Sequence, residues 1–152
     1  MPKKDLGRAK QIAFQLLKFR NRSIQEIKDR LKRKSFPDDI ILQTIVFLVR
    51  LRYLNDEEFA LSFAQSRLAK PLGFRRIFFE LEQKGVDREI IEQTLEKLKQ
   101  GHSEEDIIEK LAKERFKKLK SIEKYKAKNR VYAFLVRRGF NPELVKGVME
   151  KL

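Results

Sequence analysis

Cysteine and tryptophan are absent from this chain of 152 residues, histidine occurs once (His102), and glycine and proline number six and four. Without cysteine there are no disulfide staples, thiolate nucleophiles or Cys-ligated zinc, and the redox compartment stays unconstrained. A single histidine excludes a histidine-rich metal site and a Cys–His catalytic pair. The longest apolar stretches, Ile40–Leu42 and Val46–Val49, are far too short to span a membrane. The opening Met1-Pro2-Lys3-Lys4-Asp5 lacks the apolar stretch of a signal peptide, so a cytoplasmic protein with no membrane partner is expected. There is no glycine-rich phosphate loop, and none of the six serines sits in a nucleophile motif. Enzymatic activity, a cofactor and a metal are therefore not expected.

What the chain does have is positive charge: 36 Lys+Arg against 22 Asp+Glu, a net of +14. Hydrophobic residues make up 41%, twelve of them Phe, which is enough to bury a core and argues against wholesale disorder. The charge is uneven. Residues 1–54 carry 14 basic and 5 acidic side chains (+9), residues 55–102 carry 8 and 9 (−1), and residues 103–152 carry 14 and 8 (+6). Two basic ends around a neutral middle favour a polyanionic partner, nucleic acid first and an acidic protein or membrane surface second.

Periodicity is helical throughout, and no alternating strand pattern occurs. Self-comparison reveals a repeat. Leu31-Lys32-Arg33-Lys34-Ser35-Phe36 aligns with Leu81-Glu82-Gln83-Lys84-Gly85-Val86 and with Leu135-Val136-Arg137-Arg138-Gly139-Phe140, at offsets of 50 and then 54. In each copy a helix ends, turns at Gly or Ser, plants one apolar residue and is followed by a new helix. Gly85 and Gly139 suit the left-handed position that terminates a helix. Ser35 in that position carries strain or adopts another turn. Asn141-Pro142 reads as an N-cap with proline at the first helical position, and Ser23-x-x-Glu26 and Ser103-x-x-Asp106 read as capping boxes, which Asn55-x-x-Glu58 imitates.

These signals predict an all-α chain of three tandem three-helix repeats, 1–54, 55–102 and 103–152. The predicted helices are 5–20, 24–34 and 38–52, then 56–69, 74–84 and 88–99, then 104–120, 122–138 and 142–151. Units this small bury little alone, so packing in series into an elongated array, straight or curved, is expected over a single globular bundle.

Acidic clusters Asp38-Asp39, Asp56-Glu57-Glu58 and Glu104-Glu105-Asp106 each fall in a predicted first helical turn. The helix dipole favours negative charge there, so dipole compensation explains all three better than catalysis or metal binding. His102, in a connection, is expected at the surface. Phe14, Phe19, Phe47, Phe59, Phe63, Phe78, Phe79, Phe116 and Phe134 are read mostly as core. Tyr125, inside a lysine-rich stretch, could stack on a base.

Basic clusters are the informative feature. Lys113 to Arg130 holds nine Lys+Arg, and Lys113, Lys117, Lys120, Lys124 and Lys128 would line one stripe if the helix were continuous. Further groups are Lys18, Arg20 and Arg22; Arg30, Lys32, Arg33 and Lys34; Arg50 and Arg52; and Arg75-Arg76. Flexible cationic side chains suit a phosphate backbone without base reading, so sequence-independent DNA binding with strong salt dependence is expected.

Taken together, the motifs resemble the RecX family of bacterial recombination regulators. The matching segments are Arg20-Asn21-Arg22-Ser23-Ile24-Gln25-Glu26-Ile27, Tyr53-Leu54-Asn55-Asp56-Glu57-Glu58-Phe59-Ala60, Gly73-Phe74-Arg75-Arg76-Ile77-Phe78-Phe79-Glu80-Leu81 and Lys84-Gly85-Val86, with Arg138-Gly139-Phe140 in the third repeat. The resemblance implies a non-enzymatic regulator, expected as a monomer. It would bind RecA and the RecA–DNA filament and limit ATPase, strand exchange and coprotease activity. Its electrostatic anchors would be Arg20, Arg22, Arg30, Lys32, Arg33, Arg75, Arg76 and the Lys113, Lys117, Lys120, Lys124 and Lys128 stripe. The alternative is a stand-alone architectural or transcriptional DNA-binding protein.

Overall fold

The order of the elements follows the caps. A computed structural model, describing residues 2–152 with side chains from Asp5 onward, holds only helices among the described residues. They are α1 (Pro2–Phe19), α2 (Ile24–Arg33), α3 (Asp38–Arg50), α4 (Asp56–Leu68), α5 (Phe74–Gln83), α6 (Arg88–Lys99), α7 (Glu104–Lys118), α8 (Lys124–Arg137) and α9 (Pro142–Lys151). Eight of the nine lie within two residues of the expected bounds at both ends. Helix α1 starts three residues earlier, since proline is tolerated in a first turn. The α7–α8 connection widens to residues 119–123, and no side chain caps α8.

Each start is closed as its sequence demands. Ser23 Oγ accepts the Glu26 N–H while the Glu26 carboxylate accepts the Ser23 N–H, a reciprocal box. Asn55 Oδ1 accepts from Glu58, Ser103 Oγ from Asp106, and Asn141 Oδ1 from Glu143. The three repeat turns share one closure. Ser35, Gly85 and Gly139 donate to the carbonyls of Lys32, Glu82 and Val136, and Phe36, Val86 and Phe140 donate to those of Leu31, Leu81 and Leu135. The turning residues have φ of 68°, 76° and 92°. Ser35 therefore takes the left-handed conformation that glycine takes in its sister repeats, and it carries the strain of a Cβ there.

The chain forms two compact units, Met1–Ser62 with Leu81–Ile91, and Phe63–Glu80 with Glu92–Leu152. In the first, Ala9, Ala13, Ile27, Leu31, Ile45 and Leu48 form the centre of a core, with Phe14, Phe36 and Phe47 around it. In the second, Ile108, Ala112, Val131, Leu135, Phe140 and Val145 do so, with Phe116 and Phe134 at the margin. Each fully buried Val, Leu, Ile or Phe side chain among them contributes about 1.5–3 kcal/mol.

One junction occurs twice, once in each unit. At the start of α2, Ser23 Oγ donates to the Lys84 carbonyl at the end of α5 at 2.5 Å. At the start of α5, the Gly73 N–H donates to the Arg138 carbonyl at the end of α8 at 2.8 Å. A carboxylate from the following repeat closes each helix start. Asp56 Oδ1 accepts the Ile24 N–H at 2.9 Å. Glu104 accepts from the Phe74 backbone and, at 3.2 Å, from Asn141. The close approach explains the glycines: a Cβ on Gly73 would overlap the Gly139 carbonyl, and one on Gly139 would overlap Arg76.

Candidate functional site

The acidic clusters resolve first. Asp56 and Glu104, the first residues of α4 and α7, are half-buried and act as caps across repeats rather than only as compensation for their own helix dipoles. Burial pushes both carboxyls above the ordinary range, against the lowering effect of the N–H groups they accept. Among the described residues no three His, Asp or Glu side chains gather to hold a metal. No helix there is long and apolar enough to cross a membrane. His102 is half-buried rather than at the surface, its ring edge-on to Phe74 at 5.4 Å.

The basic residues divide by what their surroundings already explain. Arg20 is ion-paired to Glu26 at 2.6 Å, and Arg22 Nε donates to the Leu16 carbonyl at 3.2 Å. Both brace the α1–α2 connection. Burial first, and repulsion from Arg20 second, pull Arg22 below the ordinary guanidinium value. Burial alone would raise Glu26, yet the Arg20 and Ser23 hydrogen bonds and the charges of Arg20 and Lys84 hold it below the usual carboxylate range. Arg30, Lys32 and Arg33 are exposed in the last turn of α2, where the helix dipole favours them.

The proposed lysine stripe is broken. Lys113 and Lys117 lie on α7, Lys120 in the turn, and Lys124 and Lys128 on α8, which packs against α7. A spacing of 4, 3, 4 and 4 lines one face only while a single helix continues, and the chain turns after Lys118. Lys113 also pairs with Glu109 at 3.0 Å, and Lys128 is half-buried.

Two helix starts are different. The first turns of α5 and α8 contain no acidic residue and instead carry Arg75, Arg76, Lys124 and Lys126, against the helix dipole. Folding alone does not favour cations there. Arg76 contacts Glu80 at 3.6 Å, and Glu80 also faces Arg67 Nε at 2.9 Å, an ion pair without hydrogen-bond alignment. Arg75 is exposed and makes no ion pair among the described residues, although its charge is felt at Glu104.

Within this unit Arg75, Arg76, Phe79 and Arg137 line a shallow groove of about 490 Å³. Arg137 also lines a second groove, of about 380 Å³, with Arg115, Asn129, Arg130 and Phe134. Five arginines thus face two adjoining depressions in which Glu80 is the one carboxylate. Phe79, expected in the core, is 58% exposed in the first groove, and Phe19 is exposed at the end of α1. Sequence reasoning passed over Arg115 and Arg137 because it followed a lysine periodicity. The missing first-turn acids of α5 and α8 were the available signal.

Tandem three-helix repeats joined by carboxylate caps, with two arginine-lined grooves, define a helical-repeat protein with a cationic surface. Family comparison places it. The models for the RecX first, second and third three-helix domains match residues 9–48, 55–95 and 103–149. The chain belongs to the RecX family. Regulatory protein RecX of Amycolatopsis mediterranei is 30% identical over 151 residues, spanning 99% of this chain and 86% of that protein. The RecX of Clostridium botulinum is 31% identical over 130 residues, and the chain spans about 60% of that relative's length. The crystal structure of RecX from Lactobacillus salivarius superposes with a TM-score of 0.86 at 21% identity, covering 99% of this chain and 97% of that one. A second RecX crystal structure does so with a TM-score of 0.82 at 18% identity.

Proposed function

We propose that this chain is a regulator of the RecA recombinase, in most settings an inhibitor. It docks on RecA and on RecA–DNA filaments along the filament groove, where it limits ATP hydrolysis, strand exchange and coprotease activity. The observation that carries this reading is the match of all three repeats, in order, to the three RecX domains. The surface fits the role. Cations at the starts of α5 and α8, unfavourable for the helices themselves, supply a grip on DNA phosphates without a base code. The exposed cluster Arg30, Lys32 and Arg33 adds to that grip, while Arg20 and Arg22 contribute less because they brace their own unit.

The test uses purified chain and RecA on single-stranded DNA. The expected result is reduced DNA-dependent ATP hydrolysis at substoichiometric or equimolar chain. Unchanged hydrolysis at equimolar chain rejects inhibition. A sequence-preferring footprint on duplex DNA without RecA would instead favour a stand-alone DNA-binding protein.

A further inference from the structure

The two repeat junctions join equivalent helices and carry opposite side chains. Repeat offsets of 50 and 54 pair Gln25, Glu26 and Asp29 of α2 with Arg75, Arg76 and Phe79 of α5, and Glu82 and Gln83 of α5 with Val136 and Arg137 of α8. Each junction closes by a hydrogen bond from the residue before one helix to the carbonyl after the next, donated by the Ser23 hydroxyl in the first and by the Gly73 N–H in the second. Packing therefore accepts acidic and neutral residues at these positions. In the second unit the same positions hold three arginines and a Phe that is 58% exposed. Exposing a phenyl ring forgoes the burial that stabilises a fold, and placing Arg75 and Arg76 in a first turn opposes the dipole. The local sequence is thus fitted to something outside the fold.

The chemistry specifies the occupant. Arg75 and Arg137 are exposed and make no ion pair among the described residues, and their planar forks match phosphate oxygens. Phe79 is the one strongly exposed apolar side chain of the groove, since Phe140 is buried and Val136 half-buried. A docking protein helix would need a broader apolar face. One open aromatic ring between guanidinium groups is instead the combination that stacks a base while its flanking phosphates are gripped. Duplex DNA hides its base faces, so the ring gains only from an unstacked strand. We infer that this groove is a single-stranded nucleic-acid site, with a base on Phe79, phosphates on Arg75 and Arg137, and the strand continuing past Arg137 toward Arg130. The site deepens the DNA-contacting part of the function proposed above, but its test needs no RecA.

The experiment is fluorescence anisotropy of a labelled oligothymidylate and of a duplex of equal length, titrated with the full chain at several salt concentrations. Phe79→Ala should weaken single-strand binding about tenfold and leave duplex binding within twofold. Phe79→Trp should bind at least as tightly as the parent, and Phe79→Leu as weakly as Phe79→Ala. Arg137→Gln should flatten the single-strand salt slope by about 0.7. Circular dichroism melting checks that the variants fold. The inference is overturned if the parent chain fails to bind the oligothymidylate at low salt, or if Phe79→Ala stays within twofold of it. Parental affinity for Phe79→Leu would mark a mere apolar contact. Loss of RecA-filament binding with unchanged oligothymidylate binding would mark a protein contact. A chain that binds the oligothymidylate through Phe79 yet leaves RecA hydrolysis unchanged would retain this site and reject the regulatory reading.

Discussion

The carboxylate of Asp56, the first residue of α4, accepts the backbone N–H of Ile24, the first residue of α2, at 2.9 Å. Glu104, the first residue of α7, does the same for Phe74, the first residue of α5. A repeat therefore begins with an acid that serves its own helix dipole and also satisfies an N–H of the previous repeat. Asp56→Ala leaves that N–H without its acceptor and should destabilise the chain by about 1 kcal/mol in chemical denaturation.

Proton linkage separates Asp56 from Glu26. Burial raises the Asp56 pKa in the fold, so its ionised form opposes folding. That opposition is present above the folded pKa and vanishes as pH falls below the unfolded value. Asp56→Asn, which keeps an acceptor oxygen without the charge, should match or exceed parental stability at pH 7 and fall behind that advantage as pH drops. Glu26 runs the other way. Its pKa is depressed in the fold, so it contributes stability above the unfolded pKa and loses it as pH falls through the folded one. Glu26→Gln should cost about 1 kcal/mol at pH 7 and much less at acid pH. Urea unfolding at several pH values measures both.

Turn conformation gives a second contrast. Ser35 holds φ 68° where its sister repeats have glycine. Ser35→Gly should stabilise by about 1 kcal/mol and raise Tm by about 2–4 °C. Gly139→Ala should do the reverse and more strongly, since its φ is 92° and a Cβ would overlap Arg76.

Stability and binding should move in opposite directions at the start of α8. Lys124→Glu places an acid where the dipole favours one and should raise stability by about 0.3–1 kcal/mol while weakening DNA binding. Arg33→Gln, at the end of α2, should lower both. A Lys124→Glu protein that binds duplex DNA as the parent does would remove this helix start from the interface.

Salt titration measures the whole surface. If five to eight duplex phosphates are neutralised, log K should fall against log salt with a slope of roughly −4.5 to −7. A flat titration would remove backbone electrostatics from the account.

Local chemistry carried the helices a long way. Ser23, Ser103 and Asn141 close their helices with neighbours three residues or fewer away, and Gly85 and Gly139 turn on contacts within six residues, so short windows of sequence held the whole instruction. The lysine stripe failed for want of continuity. Its spacing was helical, but it lines one face only in a continuous helix, and the expected bounds 104–120 and 122–138 already broke it where the chain turns between α7 and α8. Phe79 was misjudged because an aromatic residue at a helical spacing looks the same whether or not a neighbour covers it.

The uneven charge and the missing Cys, Trp and second His were fixed by composition, and with them went whole classes of chemistry. The three repeats and the positions of their turns were likewise determined locally, because caps and left-handed residues act over a few bonds. Only the tertiary structure decided which charges were spent. It tied Arg20 and Arg22 to Glu26 and Leu16, turned Asp56 and Glu104 into caps for distant helices, and left Arg75, Arg137 and Phe79 facing solvent together. Arg20 and Arg22 meet partners six residues away across a helix connection, and Asp56 and Glu104 meet partners 32 and 37 residues away, so the energies that separate a brace from an open binding residue exist only once the chain has folded.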